Sequence, residues 1–92
     1  MARNERVTRV IDGDTFRTAV RRNSVRLADV YAPEKRQPGA ATATNALKRL
    51  IQGKIVSIET VGRSYRRAVA EVWVDGLWVN AAMRKVIKKK RR

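Results

Sequence analysis

Half of the negative charge in this sequence falls within one quarter of its length. Of eight acidic residues, Asp12, Asp14, Asp29 and Glu34 stand close together, at predicted turns and strand ends. Carboxylates gathered this way can be plain turn formers, as Asp12 and Asp14 are around Gly13. They can also collect a cation beside a phosphate-binding groove. Histidine and cysteine are both absent. Proton transfer near neutral pH therefore falls to carboxylates, Lys, Tyr or metal-bound water. Any metal would be held by oxygen, which suits calcium-like or magnesium-like ions. Phosphodiester cleavage without histidine needs such parts. A metal ion withdraws charge, a carboxylate positions or deprotonates water, and guanidinium groups neutralise the pentavalent phosphate. Arginine suits the last role because its planar fork grips two oxygens at once.

Three segments, in order, carry a more specific pattern. They are Val10-Ile11-Asp12-Gly13-Asp14-Thr15-Phe16, then Arg26-Leu27-Ala28-Asp29-Val30-Tyr31-Ala32-Pro33-Glu34, then Tyr65-Arg66-Arg67 followed by Val74-Asp75-Gly76 and Val79-Asn80. Through these segments the chain resembles the staphylococcal nuclease (thermonuclease-like) family, over roughly Val7 to Met83. The resemblance implies an OB-type barrel and calcium-dependent hydrolysis of DNA and RNA phosphodiesters. It places Asp14 as the metal-binding aspartate, with the main-chain carbonyl of Ala32 as a further ligand and Asp12 as a supporting aspartate. Arg26 and Arg67 fall on the two phosphate-binding arginines, and Glu34 on the glutamate that assists the attacking water. Taken singly, each residue also fits a plain surface role, Arg26 in an ion pair and Glu34 as a loop charge.

The chain departs from the family pattern in places that matter. Directly before the Ala-Pro-Glu run the family has an aspartate, its second carboxylate ligand; here that position is Tyr31. A neutral phenol is a poor calcium ligand, so the expected calcium site is a weakened one. Asp29 stands two residues earlier, where the family usually has glycine. That is about 7 Å along a strand, so it compensates only through a local shift or a water. The approach to the second arginine, Arg63-Ser64-Tyr65-Arg66, is more basic than the family's. The family's third helix and its substrate-contacting tyrosines have no counterpart in these residues.

The elements that must position these groups follow from periodicity and punctuation. Val7 to Ile11, Thr15 to Val20 and Val25 to Tyr31 read as three strands, with Pro33 beyond the last. Ala40 to Gln52 reads as a helix with Ala43, Leu47, Leu50 and Ile51 on its apolar face, stopped by Gly53. Lys54 to Val61 returns to strand, Gly62 to Arg66 is a basic loop, and Ala68 to Val74 is a fifth strand. Asp75-Gly76 turns the chain into Leu77-Trp78-Val79. Asn80 is a candidate N-cap for a last helix striped by Met83, Val86 and Ile87. This order predicts a β-barrel with helices, an α+β fold. It is a five-stranded OB-type barrel with one helix between strands 3 and 4 and one C-terminal helix. One domain over residues 1–87 and a basic tail over 88–92 are expected.

The chain has 92 residues and a net charge of +14. So much like charge repels itself in the compact state, and a polyanionic partner explains it. Nucleic acid is the expected partner, with an anionic membrane surface as the second candidate. Tyr65, Arg66, Arg84, Lys85, Lys88, Lys89, Lys90, Arg91 and Arg92 are the expected contacts. Arg84 to Arg92 alone holds seven basic residues of nine, a run that also fits a solvated tail. No stretch is apolar and long enough to span a bilayer, and Met1 to Val10 lacks the apolar region of a signal peptide. A cytoplasmic and a mature secreted form both fit, and a monomer is expected. Beside the enzyme stand two readings of another class. One is a non-catalytic OB-type nucleic-acid-binding module, separated from the enzyme by Tyr31. The other is a partner-binding domain, which the charge disfavours. Self-repulsion at +14 should make the fold salt-stabilised. Moderate salt, or a short oligonucleotide, should raise the melting temperature; a melting temperature that falls from the first addition of salt would contradict this.

Overall fold

Alternation of apolar and polar residues gives a strand one face to bury, and five such strands in this chain bury theirs against each other. In the computed structural model, which describes residues 2–89, the order is β1 (Arg3–Asp12), β2 (Thr15–Thr18), β3 (Val25–Leu27), α1 (Ala40–Ile51), β4 (Ile55–Ser64), β5 (Arg67–Val74), β6 (Leu77–Trp78) and α2 (Val79–Lys89). β1 pairs antiparallel with β2 and β4, β2 with β3, and β4 with β5. A parallel pairing of β3 with β5, Val25 opposite Ala68 and Leu27 opposite Ala70, closes the ring. The result is the expected α+β fold, an OB-type barrel with α1 between its third and fourth strands and α2 after the fifth. The two-residue β6 extends β5 outside the ring.

Inside, β5 contributes Ala68, Ala70, Val72 and Val74 at alternate positions. Phe16, Leu27, Leu47, Ile51, Ile58 and Met83 are the largest fully buried side chains. α1 turns Ala43, Ala46, Leu47 and Ile51 inward, and Lys48 and Arg49 in its last turn complement the helix dipole. At its end the Gln52 side chain accepts the Val10 N–H (3.1 Å), where the register of β1 against β2 shifts. Among the described residues no helix is long and apolar enough to cross a membrane.

Five boundaries differ from the sequence reading. β2 ends at Thr18 rather than Val20, because the chain bends there and the Arg21 N–H donates to the Thr18 hydroxyl (3.3 Å); the other four differ for tertiary reasons. β1 begins at Arg3 rather than Val7, because Arg3 to Arg6 pair with Ile55 to Ile58. β3 ends at Leu27, well before Tyr31. Asp29 takes φ +55° and turns the chain away from the sheet. The basic stretch read as a loop is the end of β4, carried past a bulge between Thr60 and Gly62 by its pairing with β5; backbone pairing overrides side-chain polarity here. Asn80 does not stand before the helix as a cap. It lies inside α2, fully buried, and its amide is satisfied by the barrel. Its Oδ1 accepts the Val72 N–H (2.8 Å), and its Nδ2 donates to the carbonyls of Ala70 (3.0 Å) and Ala28 (3.1 Å).

A carboxylate of β1 is also buried. The Glu5 carboxylate, 5 % exposed, accepts from the Thr18 hydroxyl (2.8 Å) and Arg21 Nε (2.9 Å). Burial by itself raises its pKa. The hydrogen bonds from Arg21 and Thr18, with the positive charges of Arg21 and Arg3, outweigh burial and hold the carboxyl below its ordinary value. A lowered folded pKa contributes stability that is present above the ordinary glutamate value, about 4.3, and is lost as pH falls through the folded value. Glu5→Gln should therefore flatten the pH dependence of the urea midpoint between roughly pH 5 and pH 3. An unchanged acid profile would assign that dependence to other carboxylates. Asn80→Ala leaves the buried Val72 N–H without its acceptor and takes one donor from each of the Ala70 and Ala28 carbonyls, which keep the Ala28 N–H and Arg84 as partners; it should cost about 1–3 kcal/mol, lowering the melting temperature by at least about 4 °C. A shift of a degree or two in thermal denaturation would show that water replaces the amide.

Candidate active site

The site begins at the turn between β1 and β2. The Asp14 N–H donates to Asp12 Oδ1 (3.1 Å), the local side-chain bond that makes aspartate a turn former. Gly13 is needed for a different reason. A Cβ there would stand 2.6 Å from the Ala43 Cβ and 2.8 Å from the Ala32 Cβ, so the turn lies directly against α1 and the segment after β3. That close approach delivers Asp14 to its partners. Its Oδ1 accepts from the Thr15 hydroxyl (2.8 Å), and its Oδ2 from the Ala32 N–H (3.1 Å) and Arg26 Nη2 (3.4 Å). Behind it, burial pushes the Asp12 carboxyl up, and the hydrogen bond to Asp14 and its charge push it further, against the backbone hydrogen bond Asp12 accepts.

Arg26 projects from β3 and is held on three sides. Besides Asp14, its Nη2 donates to the Val30 carbonyl (3.1 Å), and its guanidinium carbon lies 5.2 Å from the centre of the Tyr31 ring. Such a contact adds on the order of 0.5–1 kcal/mol at an exposed site. Arg67 opens β5. Arg26 pairs with Val69 across the parallel seam, and Arg67, two residues before Val69, shares its face. The two arginines therefore stand on one side of the barrel, on the order of 7 Å apart along the strands. Tyr31, Ala32, Pro33 and Glu34 line an open cleft with Gln37, Pro38 and Ile87 of α2. Glu34 is exposed there, and its loop is pinned by the Glu34 N–H donating to Gln37 Oε1 (3.1 Å).

Asp12, Asp14, Arg26, Tyr31 and Ala32 are thus brought together directly, with Arg67 and Glu34 at the margins. Asp29 is placed otherwise. It is exposed, at a backbone angle that suits aspartate or glycine, and its carbonyl accepts from Arg84 Nη1 (3.4 Å). Tyr65 stands at the tip of the β4–β5 hairpin, 95 % exposed, with Arg66 beside it. Arg84 is a strut as well as a charge. It stacks over Trp78 (5.1 Å) and donates to Ala28, while Lys85 faces solvent on α2. Lys88 and Lys89 end α2; Lys90, Arg91 and Arg92 lie outside the described residues. Sequence reasoning missed Thr15, Asn80 and the tight packing of Gly13. A threonine after the aspartate and the pairing of small residues Gly13, Ala32 and Ala43 were the available signals.

As a metal centre the donor set is thin. Among the described residues no three acidic side chains converge. Asp14 is the carboxylate that meets the Ala32 main chain, and its Oδ2 already accepts two hydrogen bonds. Calcium takes six to eight oxygens, so these residues fit a loosely held cation rather than a closed cage.

Comparison with known proteins agrees with this geometry. The family model described as staphylococcal nuclease homologue matches residues 24–87. The chain is 39 % identical over 82 residues to proteins of Escherichia coli and of Escherichia coli O157:H7 named "uncharacterized endonuclease", covering 85 % of this chain and 54 % of each relative. It is 38 % identical over 72 residues to protein ParB of Escherichia coli, covering 75 % of this chain and 41 % of that protein. The chain spans about half the length of the curated relatives it matches. With the barrel, the part-buried Asp14–Arg26 pair and a family match across most of its length, the chain belongs to the staphylococcal nuclease homologues.

Proposed function

We propose that this domain hydrolyses phosphodiester bonds of DNA or RNA. The observation that carries the reading is the fixed guanidinium of Arg26, locked by Asp14, Val30 and Tyr31 on the same side of the barrel as Arg67. Two arginines so placed bind the non-bridging oxygens of one phosphate and neutralise the charge that grows on it in the transition state. Glu34, exposed in the adjoining cleft, orients a water and accepts its proton as the water oxygen bonds to phosphorus. The opposite ester oxygen leaves with the electron pair of the broken bond and takes a proton from solvent. The endonuclease relatives support the same reading.

Calcium dependence is part of this proposal in a weakened form. Asp14 and the Ala32 carbonyl are the groups that would hold the ion, with Asp12 behind them. When bound, it supplies positive charge beside the phosphate and makes water more acidic. The arginines keep their places through protein contacts, so phosphate binding outlasts removal of the ion. A second reading, a nucleic-acid-binding module without effective catalysis, is favoured by one observation. The family's second carboxylate position holds Tyr31, and its ring serves Arg26.

Plasmid and RNA degradation with calcium, magnesium or chelator separates the two. The wild type should cleave weakly with calcium. Arg26→Ala or Arg67→Ala should lower cleavage about 10²–10³-fold at saturating ion. Tyr31→Asp should raise calcium affinity and rate by about 10–100-fold. A wild type that is inert, with Tyr31→Asp failing to restore activity, would falsify the enzyme reading and leave the binding module.

A further inference from the structure

A second concentration of positive charge lies at the end of the barrel where the β2–β3 loop meets the β4–β5 hairpin. Arg21, Arg22, Arg63 and Arg66 line an open cleft there, floored by Ser24 and Ala68. Among the described residues no acidic side chain lines it. Glu5, which holds Arg21, is the one carboxylate in salt-bridge contact with any of the four. Arg17 adds to the field, its Nη2 donating to the Arg22 carbonyl (2.9 Å). Gathering guanidinium groups without counter-charge costs stability in a chain already at +14. The hairpin tip between Arg63 and Arg66 also carries Tyr65 at φ +59° and 95 % exposed, an unfavourable backbone angle for a bulky residue. Fold alone accounts for neither feature; an anion with a planar face beside it accounts for both.

We propose that this arginine cleft is a second phosphate site, which grips the backbone of the nucleic-acid substrate a few nucleotides from the bond being cleaved. The inference rests on the reading of the substrate as nucleic acid. Continuity of the surface supports it. Ala68 in the cleft follows Arg67, and Ser24 precedes Arg26 by two residues, about 7 Å of strand. A nucleic-acid strand rises about 3.4 Å per nucleotide in duplex form. A strand leaving Arg26 and Arg67 toward this end of the barrel brings its next few phosphates to Arg22, Arg63 and Arg66, with a base over Tyr65. The cleft then acts on long substrates and is silent on the shortest ones.

The test is binding of fluorescein-labelled single-stranded DNA to the full chain in chelator, read by anisotropy across a salt series, with a dodecamer and a dinucleotide. Arg22→Gln, Arg63→Gln and Arg66→Gln are combined in one variant. A control of equal charge loss combines Lys48→Gln, Arg49→Gln and Lys54→Gln, all exposed and none lining the cleft. Matching circular dichroism and melting curves establish that both are folded. The cleft variant should lose at least about tenfold in dodecamer affinity, and its salt slope should shrink by about 2, from roughly 0.7 per phosphate released on single strands. Dinucleotide binding should stay unchanged, and the control should lose far less. Equal losses in cleft variant and control, or equal losses on dodecamer and dinucleotide, would overturn the proposal. Because the readout is binding and not cleavage, a failure of the hydrolytic reading shows only in the degradation assay and leaves this result standing.

Discussion

The Asp14 carboxylate binds partners from three segments of the chain: the hydroxyl of Thr15 in β2, the guanidinium of Arg26 in β3 and the main-chain N–H of Ala32 beyond it. Its placement is possible because Gly13 lets the turn press against Ala43 of α1 and against Ala32. Hydrogen bonds to an ionised group are roughly twice as strong as neutral ones, and this one is nearly buried, at 9 % exposure. The segment after β3 has left the sheet and has no ladder to hold it. Asp14, with Arg26 on the Val30 carbonyl and Val30 itself in the core, holds Tyr31 and Ala32 at the mouth of the site.

A second constraint is barrel closure. The seam is the parallel pairing of β3 with β5, and β3 is only three residues long. Asn80 reinforces it, joining Ala28 at the end of β3 to Ala70 and Val72 of β5 through one buried amide. Both arginines of the candidate site belong to the seam strands, so closure fixes the backbone from which both project. Tyr31 fits the same logic. Where the family resemblance puts a carboxylate, this chain has a ring that steadies Arg26.

Charge organises the outer surface. Basic residues outnumber acidic ones 22 to 8, and among the described residues the salt bridges engage Glu5 and Asp14. Both of those carboxylates are buried and serve the barrel. Arg22, Arg63 and Arg66 at the β2–β3 end of the barrel are exposed, and none of them is among the salt bridges of the described residues.

Much of this was legible in the sequence because it is local. Alternation and turn dipeptides gave the strand order, helical spacing gave α1 and α2, and the Asp-Gly-Asp and Ala-Pro-Glu segments marked the residues that converge at Asp14. Net charge, a sum over residues, pointed to a polyanion without any structure. What the sequence could not decide depends on contacts between distant segments. The end of β3 was set by the turn at Asp29, the length of β4 by its partner strand, and the role of Asn80 by backbone groups as many as 52 residues away. The cleft of Arg21, Arg22, Arg63 and Arg66 belongs to the same class. Its arginines come from two stretches some 40 residues apart, and only closure of the barrel, which pairs Val25 with Ala68, sets them side by side.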